Sequence, residues 1–500
     1  MKKFLLSTLV LLLTACSIFA QVTTSSLTGT VSDSKGETLP GASVVAIHTP
    51  SGTRYSTAAN VQGKFTIQNM KVGGPYSVEV TYIGYQAKKV NDVFLKLGES
   101  YVLNLPMQES GTALQEVVIT GTDARSVLNA NRTGSTTNIG RAEILNVPSI
   151  TRSVNDLTKF TPQANGSSIG GGNYRQNNFT VDGSDFNNQF GIGGNLPANG
   201  SPISLDALEE ISINVTPYDA SQSGFVGSSI NAVTRSGRNN FFGSAFYNFR
   251  TEDEQGSKVA GNVFVPQSLD IKQYGASFGG PILKNKLFFF VNAEFNKEVR
   301  PGQSRIAATP QVPFGSNNNV ARPTATELDN IRTYLVNTYG YDPGVYQGYS
   351  NLSNNDKLLA RLDWNISNHH RFNIRYNQVE SKTPNFLSTS TSGSGFNFPN
   401  GSGRQSPDHL QFSNSNYFQD ANLYSLAAEL NSTLGSKFSN TLRGSYTHQN
   451  DPRSTNSTDF PLVDILKDGT AFTTFGYEPF TYGNLRDVTT YSFTDNFSMN

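Results

Sequence analysis

From residue 238 onward the chain alternates apolar and polar positions with a period of two. Leu287, Phe289, Val291, Ala293 and Phe295 interleave with Phe288, Phe290, Asn292, Glu294 and Asn296. The same alternation sets Leu358, Ala360, Leu362 and Trp364 against Leu359, Arg361, Asp363 and Asn365. It sets Phe372, Ile374 and Tyr376 against Arg371, Asn373, Arg375 and Asn377. It recurs with Tyr424, Leu426, Ala428 and Leu430 against Leu423, Ser425, Ala427 and Glu429. Period two is the signature of a strand. A strand that crosses a bilayer needs about 9–11 residues, apolar toward lipid and polar toward a wet interior. A half-buried soluble sheet alternates too, so the connections matter. Strand pairs 271–282/286–299, 355–366/370–380 and 420–432/437–449 are joined by the tight turns Lys284-Asn285, Ser367-Asn368-His369 and Leu434-Gly435-Ser436. Polar stretches, 300–354 and 381–419, separate the pairs, with Gly315–Asn319 and Ser388–Gly403 as low-complexity loop pieces. With 240–250 and 487–499, this predicts eight strands, with short turns at one end and long loops at the other, the arrangement of outer-membrane barrels.

The region before 238 has a different texture. Lys2 and Lys3 precede an apolar run, Phe4 to Leu13, which fits an export leader cleaved after Ala20. Leu13-Thr14-Ala15-Cys16 offers a competing lipoprotein reading with Cys16 as the lipidated residue. On the first reading the mature chain has no cysteine, hence neither disulfides nor thiolate chemistry. No later run approaches the ~18 apolar residues of a membrane helix, so a membrane form of this chain must be a β-barrel. Residues 22–107 carry short apolar runs (Leu27–Val31, Ala42–Ile47, Lys64–Ile67, Tyr76–Tyr82, Tyr101–Leu105) spaced by Gly/Pro turns, the rhythm of an antiparallel sandwich. Residues 108–122 read as a linker, and 123–237 as a Gly- and Asn-rich unit with few apolar runs.

Composition narrows the class. Lys+Arg and Asp+Glu number 38 each, which argues against a nucleic-acid binder. Charged residues make up 15%, below the roughly 25% of soluble domains, while 33 Phe and 21 Tyr argue against disorder. No Gly-rich loop ends in Lys-Ser/Thr, so no nucleotide site is expected. His48 stands without cysteines or convergent acids, Asp182 and Asp185 flank a turn, and His369-His370 lie in a tight turn. These are read as structural groups; no catalytic residue, cofactor or metal site is expected.

Three stretches carry family resemblances. Gly29-Thr30-Val31, Leu39-Pro40-Gly41-Ala42, Gly63-Lys64-Phe65 and Ile83-Gly84-Tyr85 resemble the carboxypeptidase-regulatory-like domain, an accessory β-sandwich. Leu114-Gln115-Glu116-Val117-Val118-Ile119-Thr120-Gly121 resembles the TonB box of outer-membrane receptors, which implies that Glu116, Val117, Val118, Ile119 and Thr120 contact TonB by strand addition. Read from its residues alone, Val117–Thr120 is equally the last strand of the first domain. The stretch Asn177–Gly183, with Asp182 and Gly183 at its end, and the stretch Ser223–Gly237, with Gly224, Asn231, Thr234, Arg235 and Gly237, resemble the plug domain of TonB-dependent receptors in its Oar-like form. Gly279–Phe290 resembles the same branch, and the Leu-Lys-Asp-Ala-Ser stretch of SusC-like glycan importers is absent.

The expected fold is therefore mainly β: a leader (1–20), a sandwich (21–107), a linker (108–122), an α+β plug (123–237) and the N-terminal part of a barrel (238–500). Receptors of this family resemble 22-stranded barrels, which at about 33 residues per strand need on the order of 730 residues. An eight-stranded barrel is too narrow to hold a plug, so the barrel is read as truncated. The resemblance implies a non-enzymatic transporter of the Gram-negative outer membrane, with TonB and its energising complex, outer-membrane lipid and an unidentified extracellular cargo as partners. A surface protein for adhesion or motility on the same architecture is the alternative.

Overall fold

The computed structural model describes residues 22–110, 117–120, 135–147, 149, 151–190, 196–215, 227–259, 262–263, 268–317, 319–388, 403–404 and 406–499. The leader-like segment, Glu116 and Gly224 lie outside these residues.

The first unit is a sandwich built from β1 (Ser25–Ser32), β2 (Ser43–His48), β3 (Thr53–Ala58), β4 (Lys64–Met70), β5 (Gly73–Thr81), β6 (Lys88–Leu95), β7 (Ser100–Val102) and β8 (Leu105–Pro106). One sheet has the order β4-β1-β7, with β8 also on β1; the other runs β3-β2-β5-β6 and ends on β9 (Val117–Thr120). Alternate residues point between the sheets, and Leu27, Val31, Val44, Ala46, Phe65, Ile67, Val78, Val80 and Val90 form the core. Tyr76 is fully buried, and its hydroxyl donates to the Lys71 carbonyl at 2.6 Å, which removes the cost of burying it. Sequence periodicity misses β3, whose inward positions are Thr53 and Tyr55 rather than aliphatic residues, and β6, whose buried Val90 and Val93 are three apart with Asp92 at φ 57° between them.

The second unit centres on a five-stranded sheet. Its strands are β10 (Thr136–Gly140), β11 (Asn178–Val181), β12 (Ser184–Asp185), β13 (Leu208–Val215) and β14 (Ser228–Thr234), in the order β10-β13-β14-β11-β12. Two short helices, α1 (Arg141–Asn146) and α2 (Val154–Thr158), pack against it.

The third unit is one antiparallel sheet whose main path holds eight strands in sequential order: β15 (Phe242–Thr251), β16 (Asp270–Leu283), β17 (Leu287–Pro301), β18 (Ser350–Asn365), β19 (His370–Asn385), β20 (Asn422–Leu434), β21 (Phe438–Asn450) and β22 (Asp487–Met499). These are the eight strands expected from the alternation, joined by the three short turns. The sheet is open, with β15 and β22 at its two ends. Its burial is inverted relative to a soluble sheet. Tyr247, Phe249, Val291, Phe295, Leu358, Leu362, Trp364, Tyr376, Leu426, Tyr491 and Phe493 are exposed on one face. Asn292, Glu294, Lys357, Arg361, Arg375, Asn377, Ser425, Glu429 and Arg443 are buried on the other. Water does not select such a distribution, whereas a strand between lipid and a polar lumen requires it.

One expectation is corrected. The stretch 300–354, read as a polar loop, contains α3 (Ala325–Tyr339), capped by Thr324 and Glu327 at its start and by Gly340 at its end. With residues from 410–412 and 475, it closes a small core of Ala307, Ala321, Leu328, Leu335, Tyr341, Leu410, Phe412 and Phe475. The long connections at this end therefore fold into a structured unit. Most of the low-complexity piece Ser388–Gly403 lies outside the described residues.

Candidate functional site: the seam between the second unit and the barrel wall

The second unit, expected from its sequence to be a plug and called the plug below, meets the barrel sheet through its β11–β12 turn. Asp182 and Gly183 form that turn with φ of 45° and 73°, the left-handed pair favoured in two-residue hairpins. The positive φ favours glycine at 183, and a Cβ there would also push the Arg443 guanidinium aside. The turn aims the Asp182 carboxylate at the wall. Within the plug, Asp182 accepts from the Thr234 N–H (2.9 Å) and the Thr234 hydroxyl (2.6 Å). From the wall it meets Arg361 Nη1 at 3.2 Å and Arg375 Nε at 3.2 Å. Arg361 also holds Asp363 through two hydrogen bonds, at 3.0 and 2.9 Å. Two guanidiniums and two carboxylates meet in a buried site, with Lys71 of the sandwich 3.9 Å from Asp363. A buried charge left without its partner is strongly destabilising, so this group works as a unit.

Two further polar seats flank it. Glu294 on β17 pairs with Lys357 Nζ (2.6 Å) and accepts from the Ser204 hydroxyl of the plug (2.6 Å). Asp206 of the plug pairs with Arg141 and accepts from the Ser244 hydroxyl of β15 at 2.8 Å. Burial works against the Asp206 carboxylate, but the hydrogen bonds from Arg141, Ser277 and Ser244 hold it below the ordinary range. Arg235, which leaves the last plug strand, donates to the Asp206 carbonyl and the Ser277 hydroxyl, with Phe242 and Phe290 facing its guanidinium at 4.9 and 5.0 Å. Asn231 accepts from the Thr180 hydroxyl at 2.8 Å and ties β14 to β11. A Cβ at Gly237 would lie 2.6 Å from the Phe289 carbonyl and 2.7 Å from that of Gly280, so the chain enters the wall where only glycine fits.

The predicted plug residues Asp182, Gly183, Thr234, Arg235 and Gly237 are thus gathered along the plug–wall seam, while Asn231 stays within the plug sheet. The wall partners of Asp182, Arg361 and Arg375, are visible in the sequence only as charges on the polar phase. Phe290, Leu359 and Leu423 also sit on that inward phase, and they join the plug's own hydrophobic core. Asp185 is engaged locally, accepting from Asn187 and Gln189, and shapes a plug loop. His370 Nδ1 is 2.9 Å from the Ser432 hydroxyl. Among the described residues no group of His, Cys, Asp and Glu is placed to hold a metal ion.

The sandwich sits against the short-turn end of the sheet. The Leu97 N–H donates to Glu210 of the plug at 2.7 Å, Thr23 to Glu429 of β20 at 2.7 Å, and Asn365 of β18 to Thr53 at 2.9 Å. Val72 and Leu97 pack with Val233. Burial drives the Glu210 carboxyl up to about 8, only partly offset by the hydrogen bond from Leu97. The TonB-box-like residues Val117–Thr120 form β9, paired in parallel with β6 at the edge of the sandwich.

Residues 233–500 match the family described as the outer membrane beta barrel domain, and residues 26–108 match the carboxypeptidase regulatory-like domain. The chain belongs to the outer membrane beta barrel domain family. Within that family setting, the exposed aromatic face is the lipid-facing surface of an outer-membrane protein. The TonB-dependent transporter Oar of Myxococcus xanthus is 29% identical over 301 residues, which cover 56% of this chain and 27% of that protein. Among solved structures, the outer membrane transporter YddB from Escherichia coli is similar in fold, with a TM-score of 0.50 and 13% identity, over 73% of this chain and 45% of that one. This barrel-family chain therefore spans about a quarter of the length of its curated relative and under half of the solved one.

Proposed function

We propose that this chain carries the plug and the coupling segment of a TonB-dependent outer-membrane transporter. The observation that carries the reading is the seat of Asp182 between Arg361 and Arg375. It marks a unit seated in a wall by buried ion pairs, alongside an apolar contact made by four wall residues, Phe290, Leu359, Val379 and Leu423. Charged contacts of this kind can be resolvated when they separate into a hydrated lumen, so the polar part of the seam can open without leaving charges unpaired in an apolar medium. The structured unit around α3 is placed at the loop end to meet cargo, and the coupling strand lies at the opposite end. Pairing of Val117–Thr120 with TonB by strand addition would transmit force to the plug. The 29% identical relative is a TonB-dependent transporter, which supports this reading over a purely adhesive one.

The test is crosslinking in cells. A cysteine at Ile119 in the full-length protein is expected to form a disulfide with a cysteine-bearing TonB, and deletion of Val117–Thr120 is expected to abolish co-purification with TonB. Co-purification undiminished by the deletion would overturn the coupling assignment.

A further inference from the structure

We propose that the N-terminal sandwich is a splint: it holds the coupling segment as its edge strand and offers the segment's outer edge to the partner. This rests on the coupling role proposed above for Val117–Thr120.

The pairing is regular. Lys88, Lys89, Val90 and Asn91 of β6 stand opposite Val117, Val118, Ile119 and Thr120 of β9, in parallel and without a bulge. β6 is a firm template, because Val90, Val93 and Leu95 are buried in the sandwich core and Lys88 and Lys89 also pair with Val80 and Glu79 of β5. The chain leading to the segment is tied to the same side of the domain. The Gln86 N–H donates to the Gln108 carbonyl and the Ser110 N–H to the Gly84 carbonyl, both at 2.9 Å. Only residues 111–116 separate that tie from β9, a tether short enough to keep the segment at high effective concentration beside β6.

A strand has two hydrogen-bonding edges. β6 occupies one edge of β9, and β9 ends its sheet, paired with no other strand among the described residues. An exposed edge is a template for another chain. The occupant it fits is a protein with its own unpaired sheet edge, here the periplasmic domain of TonB, and the joined sheet would run from β3 through β9 into the partner. A free peptide must be ordered into an extended form as it binds, which weakens association. A segment already laid on β6 avoids that step. The domain is itself moored to plug and wall through Leu97, Thr23 and Thr53. Force applied at β9 would therefore reach the plug seam through a folded body as well as along the backbone.

The test uses the full-length receptor purified in detergent micelles, which leave both ends accessible, with the purified periplasmic C-terminal domain of the host's TonB as probe. Lys89→Cys/Val118→Cys places two cysteines at paired positions, and Lys89→Cys/Thr120→Cys places them two positions out of register. The paired variant is expected to form its disulfide in the resting receptor and the offset variant is not. The oxidised paired variant is expected to bind the TonB domain at least as tightly as its reduced form. Both are expected to bind about tenfold more tightly than a free peptide of residues 114–121. Equal crosslinking of the two variants would show that β9 is not laid on β6 and overturn the proposal. Loss of binding on oxidation would also overturn it, showing that β6 stores the segment out of reach. Efficient crosslinking with no TonB binding in either redox state would instead overturn the coupling role, and the splint with it.

Discussion

Asp182 accepts three hydrogen bonds, two from Thr234 of its own plug and one from Arg361 of the wall, and forms an ion pair with Arg375. Replacing it with alanine leaves Arg375 buried opposite no carboxylate, a change worth about 3–5 kcal/mol. The expected outcome is a loosened plug: Asp182→Ala should admit vancomycin, which the intact outer membrane excludes, and should expose the plug to protease. Adding Arg375→Met to Asp182→Ala should recover much of the seal, because it removes the orphaned charge. A double variant that leaks as badly as the single one would show that the seat does not depend on charge balance. Glu210 makes a second prediction, on pH. Its carboxyl is raised to about 8 where the sandwich meets the plug, against an ordinary value of 4.5. The docked form therefore holds its proton over a range in which the undocked form has lost it. Docking should be firmest in acid and weaken as pH rises from about 5 to 8. Glu99, Lys96 and Glu209 are the charged neighbours that modulate this. The exchange protection of the Leu97 amide, corrected for intrinsic rate, should fall across that window, and Glu210→Gln should flatten the dependence.

At the scale of elements, α3 is the clearest addition to what the sequence offered. Thr324 caps its N-terminus and exchanges hydrogen bonds with Glu327, and Leu328 is fully buried in the small core beneath it. Thr324→Ala should cost about 1 kcal/mol and Leu328→Ala about 2–5 kcal/mol. Limited proteolysis of vesicles should then cut within Ala325–Tyr339 while the membrane-embedded strands stay intact. The barrel strands were legible because lipid on one side and a polar lumen on the other impose a strict period of two. Their lengths and tight turns follow from the same alternation. The helix carried its own signals, a Thr–Glu capping box and apolar spacing at Leu328, Ile331 and Leu335, but they lie inside a long polar stretch that reads as loop. The plug seam was half legible. Asp182-Gly183 announces a hairpin turn, and Arg361 and Arg375 announce a polar lumen, yet only the fold brings residues 182 and 375 together. Likewise, Val117–Thr120 reads as a strand in sequence, but its partner edge on β6 is a tertiary fact.

At the scale of the whole molecule, the chain is turned inside out, with aromatic and aliphatic groups outside and ion pairs within. Leu362 is 43% exposed on the outer face. An arginine there should cost about 2–4 kcal/mol if it faces mid-bilayer, so Leu362→Arg should slow or block assembly into liposomes. Assembly at the wild-type rate would contradict a lipid-facing position. The two ends of the molecule also differ in what they leave free. At the loop end, Tyr482 and Leu485 are 76% and 78% exposed. At the other end the Lys284-Asn285 turn is already engaged: Asn285 exchanges hydrogen bonds with Asn239, whose N–H donates to the Pro50 carbonyl of the sandwich. An epitope placed at 482–485 is therefore positioned for antibody on living cells. The same epitope placed at 284–285 would push the sandwich off its mooring, which makes that turn a reporter of docking rather than a neutral place for a tag.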